Sequence, residues 1–148
     1  PRQGATLEIL VEAMGRVNYG PKLLDHKGIT GCVRLDNQQL SHWEIFTMPL
    51  DNLDRLQFAD GVCAEKPAVL RGTFAASSQA DCFVHLDGFT KGIVFINGFN
   101  LGRYWKIGPQ QSLYLPGVLL KEENEILVLE LDGAETDTIS MTDSHDLG

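Results

Sequence analysis

Apolar residues in this chain recur with a period of two, in short runs broken by Gly, Pro, Asp and Asn. That alternation admits strands and leaves almost no room for helices. From Ala5 to Met14, Leu7, Ile9, Val11 and Ala13 fall on one face, while Thr6, Glu8, Leu10 and Glu12 fall on the other. Similar runs at Cys32–Leu35, Trp43–Met48, Val69–Phe74, Cys82–Leu86, Gly92–Ile96, Asn100–Trp105, Ser112–Leu115 and Ile126–Leu131 also read as strands. Only Leu50–Phe58 could form a helical turn or two. Many short strands at close spacing predict an all-β protein, an antiparallel β-sandwich or jelly roll. No internal repeat or low-complexity tract interrupts the pattern.

The stretch from Phe83 to Trp105 shows how the strands connect. Ile93 and Phe95 alternate with Val94 and Ile96, Asn97-Gly98 supplies two residues that tolerate positive φ, and Asn100–Trp105 forms the returning strand. This is a hairpin. The glycines of Gly98-Phe-Asn-Leu-Gly102 do not form a phosphate-binding loop, because that fingerprint needs GxGxxG spacing and a helix to follow.

Charge narrows the partners. Twelve Lys and Arg stand against 20 Asp and Glu, and the net charge of −8 repels both a phosphate backbone and an anionic membrane surface. Nucleic acid and membrane are therefore excluded as expected partners, and no apolar run approaches the ~20 residues of a membrane-spanning helix. Pro1-Arg2-Gln3-Gly4 does not begin a signal peptide. Cys32, Cys63 and Cys82 lack CxxC spacing and read as buried free thiols, and no Asn-x-Ser/Thr triplet occurs. A reducing compartment, the cytoplasm of a bacterium, is the expectation.

Catalytic constellations are not apparent. Glu8 and Glu12 would stand ~13 Å apart on one strand face, beyond the 5 to 9.5 Å of a glycosidase carboxylate pair. Glu122, Glu123 and Glu125 read as a solvated turn. His26, His42, His85 and His145 are scattered without HxxxH or HExxH spacing, and neither GxSxG nor SxxK is present. No metal and no cofactor is expected.

Several blocks nevertheless carry a resemblance. Val11-Glu-Ala-Met-Gly-Arg-Val-Asn-Tyr-Gly20, Lys27-Gly-Ile29, Leu70-Arg-Gly-Thr-Phe74, Lys91-Gly-Ile-Val-Phe-Ile-Asn-Gly-Phe-Asn-Leu-Gly-Arg-Tyr-Trp105, Gly108-Pro-Gln110 and Asn124-Glu-Ile126 stand in this order. Together, from about Leu7 to Leu131, they resemble the C-terminal all-β region of family 35 glycoside hydrolases, the β-galactosidases. The resemblance implies a galactose-binding-domain-like jelly roll. Residues 1–40 would be the remnant of a preceding all-β domain, and residues 41–148 the jelly roll itself. It also implies a parent enzyme that removes terminal β-galactose with two glutamates on a (β/α)₈ barrel. A barrel needs ~250 residues, so those glutamates have no counterpart in this 148-residue chain, which reads as a terminal fragment inactive alone.

Two roles follow from the resemblance. The first is an accessory domain that braces the catalytic barrel and shapes substrate access, with that barrel as its partner. The second is an autonomous galactoside-binding module, for which Arg103, Tyr104 and Trp105 are the candidate contacts and Asn97 and Asn100 the candidate hydroxyl partners. Val69, Leu70 and Phe89 stand where relatives carry sugar-stacking aromatics, which favours the first role. Tyr104 or Trp105 packing within the sandwich is the simpler expectation. The apolar face of Leu7, Ile9, Val11 and Ala13 should be covered, either by the jelly roll or by a second copy in a homodimer.

Overall fold

The computed structural model describes residues 4–13, 15, 17–61 and 66–148, and the chain divides into two units, Pro1–Met48 and Pro49–Gly148. Met14, the last residue of the predicted first strand, and Cys63 lie outside the described residues.

The first unit holds one short hairpin. Strands β1 (Arg34–Leu35) and β2 (Gln38–Gln39) pair antiparallel, and Asp36 turns the chain between them at a φ of 52°. No described residue of this unit is buried. The predicted strands at Ala5–Met14 and Trp43–Met48 do not form among the described residues. Alternation supplies a strand with a face, but a strand also needs a neighbouring edge for its N–H and C=O groups. Neither segment has such a ladder. Leu7, Ile9 and Val11 stay 42 to 51% exposed. Cys32 is exposed too, contrary to its reading as a buried thiol.

The second unit is the sandwich. Strands β3 (Ala68–Ala75), β8 (Glu123–Glu130), β5 (Lys91–Ile96) and β6 (Phe99–Trp105) form a four-stranded sheet in the order β3-β8-β5-β6. Strands β7 (Ser112–Leu115), β4 (Cys82–His85) and β9 (Ser140–Thr142) form a three-stranded sheet in the order β7-β4-β9. All pairings are antiparallel. The core lies between the two sheets: Val94, Ile96, Tyr104, Ile126 and Val128 from one meet Val84, Leu113 and Leu115 from the other. Burying side chains of this size contributes about 1.5–3 kcal/mol each, and alternation dictates which residue of each strand turns inward.

Six predicted strands of this unit are present, with ends shifted by a few residues. β8 begins at Glu123 rather than Ile126, which moves Glu123 and Glu125 from the predicted solvated turn into a strand. Leu50–Phe58 yields a single 3-10 turn at Leu53–Arg55. Strand β9 escaped prediction because Ser-Met-Thr carries no pattern of its own. It forms by pairing Ser140, Met141 and Thr142 with His85, Val84 and Phe83.

Candidate functional site

The hairpin of β5 and β6 carries all five candidate sugar contacts. Its turn has Asn97 at φ 51° and Gly98 at φ 82°, the positive pair that matches the twist of two antiparallel strands. Beyond the turn the register slips: Phe95 faces Asn100 and Val94 faces Gly102, so Leu101 bulges out of the ladder. With that bulge, Leu101 packs toward the core, Tyr104 enters it, and Arg103 and Trp105 take the opposite face of the sheet.

The candidates therefore do not converge. Asn97 is engaged within the fold. Its Nδ2 donates to the Leu119 carbonyl at 2.8 Å and to Asn124 Oδ1 at 2.9 Å, while its Oδ1 accepts from the Glu125 N–H at 3.0 Å. Asn124 extends this clasp by accepting from the Lys121 N–H and donating to the Lys121 carbonyl, each at 2.8 Å. Tyr104 is buried, stands edge-on to Phe89 at 6.3 Å, and donates its hydroxyl to Glu130 Oε2 at 2.8 Å. Asn100 is exposed. On the far face, the Arg103 guanidinium lies 4.7 Å and the Lys91 ammonium 4.8 Å from the centre of the Trp105 ring, an arrangement worth roughly 0.5–1 kcal/mol per cation near the surface.

Glu130 is the one deeply buried carboxylate among the described residues, at 2% exposure, and no local pattern in the sequence pointed to it. Five donors converge on it. Its Oε2 accepts from the Thr90 N–H and the Tyr104 hydroxyl, and its Oε1 from the N–H groups of Lys91, Asp132 and Gly133, at 2.8 to 3.3 Å. Burial pushes this carboxyl up, yet the hydrogen bonds from Thr90, Asp132, Tyr104 and Lys91 more than offset it and hold the group below the usual range. Burial, then the bond to Glu130 and its charge, push the Tyr104 phenol well above its ordinary value. These groups tie the β4–β5 loop, β6 and the end of β8 together. A carboxylate so fully engaged has no lone pair left for acid–base chemistry.

The other chemical groups are similarly occupied. Asp81 accepts from the Tyr114 hydroxyl at 2.6 Å and from the Gly117 N–H at 2.8 Å, which lowers its carboxyl. His85 Nε2 lies 2.9 Å from Thr142 Oγ1 and 3.1 Å from the Ser144 carbonyl. Burial and the charge of Asp81 raise the Cys82 thiol. Among the described residues, no three His, Cys, Asp or Glu side chains group as a metal site.

Concavities also lie among the described residues. A cleft of about 1090 Å³ opens along β3, lined by apolar groups such as Leu70, Phe74, Ile126, Val128, Ile139 and Met141. A smaller pocket of about 100 Å³ sits where the β4–β5 and β6–β7 loops meet.

The two antiparallel sheets packed over one core define an all-β sandwich. Comparison with known proteins identifies the family. Residues 67–125 match the model described as "Beta-galactosidase, galactose-binding domain", and residues 1–51 match "Beta-galactosidase, first all-beta domain". Beta-galactosidase 17 of Arabidopsis thaliana is 38% identical over 86% of this chain and 21% of its own length. A beta-galactosidase of Xanthomonas manihotis is 41% identical over 74% of the chain and 19% of its length. A beta-galactosidase of Bos taurus is 39% identical over 90% of the chain and 24% of its length. The chain belongs to the beta-galactosidase family, as part of its accessory all-beta region, and spans about a fifth to a quarter of the relatives it matches.

Proposed function

We propose that this chain is the non-catalytic all-β part of an enzyme that hydrolyses terminal, non-reducing β-D-galactose residues, and that it braces the catalytic barrel and shapes access to it. The observation that carries this reading is the exposure of the first unit. Its described residues bury no core, while Tyr19, Leu24, Ile45 and Phe46 are 81 to 91% exposed. Large apolar side chains left so open mark a surface made for another body. The matched relatives are four to five times the length covered here, which supports the remainder of the same enzyme as that body. Residues 1–40 on this reading complete a preceding all-β domain, and residues 41–148 supply the jelly roll.

The test uses the full-length enzyme that carries this sequence. Replacing Ile45 and Phe46 together by Ser should lower its thermal inactivation temperature, while the melting of the 148-residue chain alone stays unchanged. An enzyme whose stability and kcat/KM both ignore the double substitution overturns the bracing role.

A further inference from the structure

We infer that Asn97-Gly98 is a modification site, where the backbone can close onto the side chain as a succinimide, and that the clasp around Asn97 keeps this site shut while the hairpin tip stays on β8. The inference goes beyond bracing and does not depend on it. Closure needs a backbone nitrogen open to base and to the neighbouring carbonyl, and glycine, without a Cβ, hinders its own nitrogen least. Gly98 is exposed at φ 82°, with open space where a Cβ would go. The residues that make the turn therefore also make its reactive point. In the step itself, the Gly98 N–H gives its proton to hydroxide and the nitrogen bonds to Asn97 Cγ. The Cγ–Nδ2 bond breaks, and ammonia leaves with a proton taken from water, which restores the hydroxide. A second water molecule opens the ring at either carbonyl, leaving an aspartate or, where the chain then runs through Cγ, an isoaspartate.

The fold restrains this chemistry. Asn97 Nδ2 is fixed by the Leu119 carbonyl at 2.8 Å and by Asn124 Oδ1 at 2.9 Å, and Asn97 Oδ1 by the Glu125 N–H at 3.0 Å. The Asn97 N–H is tied as well, donating to the Glu125 carbonyl at 2.9 Å. Asn124 is 2% exposed and is itself held by both backbone groups of Lys121, so it cannot follow a swing of the Asn97 amide. An amide held at both its polar atoms cannot rotate to present Cγ to the Gly98 nitrogen, and a misplacement of about 1 Å slows a positioned reaction about 100-fold. The Glu125 N–H polarises the Asn97 carbonyl, which by itself favours attack, as a donor at a developing oxyanion does. Orientation wins, because an activated carbonyl out of reach does not react.

Conversion cannot be accommodated afterwards. A carboxylate has no N–H, so it would meet the Leu119 carbonyl and Asn124 Oδ1 as a third acceptor where an amide had served both. An isoaspartate adds a backbone atom to a turn whose two residues set the register of β5 and β6. Each transient release of the hairpin tip from β8 thus carries a chance of a permanent break in the clasp.

The experiment incubates the 148-residue chain in warm, mildly alkaline buffer and follows isoaspartate and aspartate at position 97 by peptide mapping and mass spectrometry. The chain unfolded in urea should convert as a free peptide of residues 94–101 does, and the folded chain about tenfold more slowly or slower still. Asn124→Ala removes an acceptor from Asn97 Nδ2 and should speed conversion in the folded state about tenfold. Asn124→Asp loses the donation to the Lys121 carbonyl but keeps an oxygen toward Asn97, so it should convert near the parent rate even where its melting temperature falls as far. A role of Asn124 in general stability alone would move the two variants together. If Asn124→Ala does not fold, the parent in stepped urea decides: conversion in proportion to the unfolded fraction supports the clasp, and conversion that precedes unfolding overturns it. Equal rates in the folded and unfolded chain, or equal acceleration in both Asn124 variants, would also overturn the inference. None of these outcomes bears on the Ile45 and Phe46 test, so the two readings fail separately.

Discussion

Glu130 concentrates the stabilising chemistry of the sandwich in one residue. Its carboxyl is held below the usual range, so the folded state favours the charged form relative to the unfolded chain. The stability it contributes is therefore complete above the ordinary carboxylate pKa and is lost as pH falls through the depressed folded value. Glu130→Gln replaces an oxygen that accepts backbone N–H groups by an amide that cannot, and should cost about 3 kcal/mol at pH 7 in urea unfolding. The gap between parent and variant should narrow toward pH 3, and a gap that stays constant would show that the charge contributes nothing. A second single-residue constraint lies at Gly92, where a Cβ would run into the Leu129 carbonyl and the Tyr104 hydroxyl. Gly92→Ala should lower stability by more than about 2 kcal/mol, read as a shift in the denaturant midpoint at constant slope. Neither constraint was visible beforehand: a glutamate at the end of an apolar run reads as a strand terminus until Thr90, Lys91 and Tyr104 from distant segments join Asp132 and Gly133 around it.

Elements divide by whether a ladder forms on them among the described residues. The β5–β6 hairpin carries its own instructions, since Asn97-Gly98 sets the turn and flanking alternation sets the faces. Gly98 has open space where a Cβ would go, so Gly98→Val tests conformation alone and should cost about 1 kcal/mol in thermal unfolding. Asn97→Ala removes three hydrogen bonds that join the turn to Leu119 and to Asn124 and Glu125 at the start of β8, and should cost about 2 kcal/mol. An effect no larger than that of Asn100→Ala would show the clasp to be idle. The segments Ala5–Met14 and Trp43–Met48 have equally good alternation, yet no ladder forms on them among the described residues. β9 reverses the case, for three residues of weak propensity become a strand through pairing with β4.

At the scale of the molecule, the expected outcome is that the 148-residue chain releases no chromophore from a β-galactoside, because strands without the strand–helix alternation of a (β/α)₈ barrel dominate its described residues. Turnover abolished by a substitution within this chain would contradict that expectation. The sequence by itself determined the all-β class, the positions of six sandwich strands and the hairpin turn, because these follow from local periodicity and from residues that tolerate positive φ. It also carried the family, through the run from Lys91 to Trp105 and the blocks on either side. Only the tertiary structure decided which side each candidate residue serves. A one-residue bulge at Leu101 fixes how Tyr104 faces the core while Arg103 and Trp105 face away, and a bulge is a property of two paired strands rather than of either sequence alone. The cluster around Glu130 was likewise illegible in the chain, because Thr90, Lys91 and Tyr104 reach it from segments many residues away, brought together by burial of the core rather than by any local pattern.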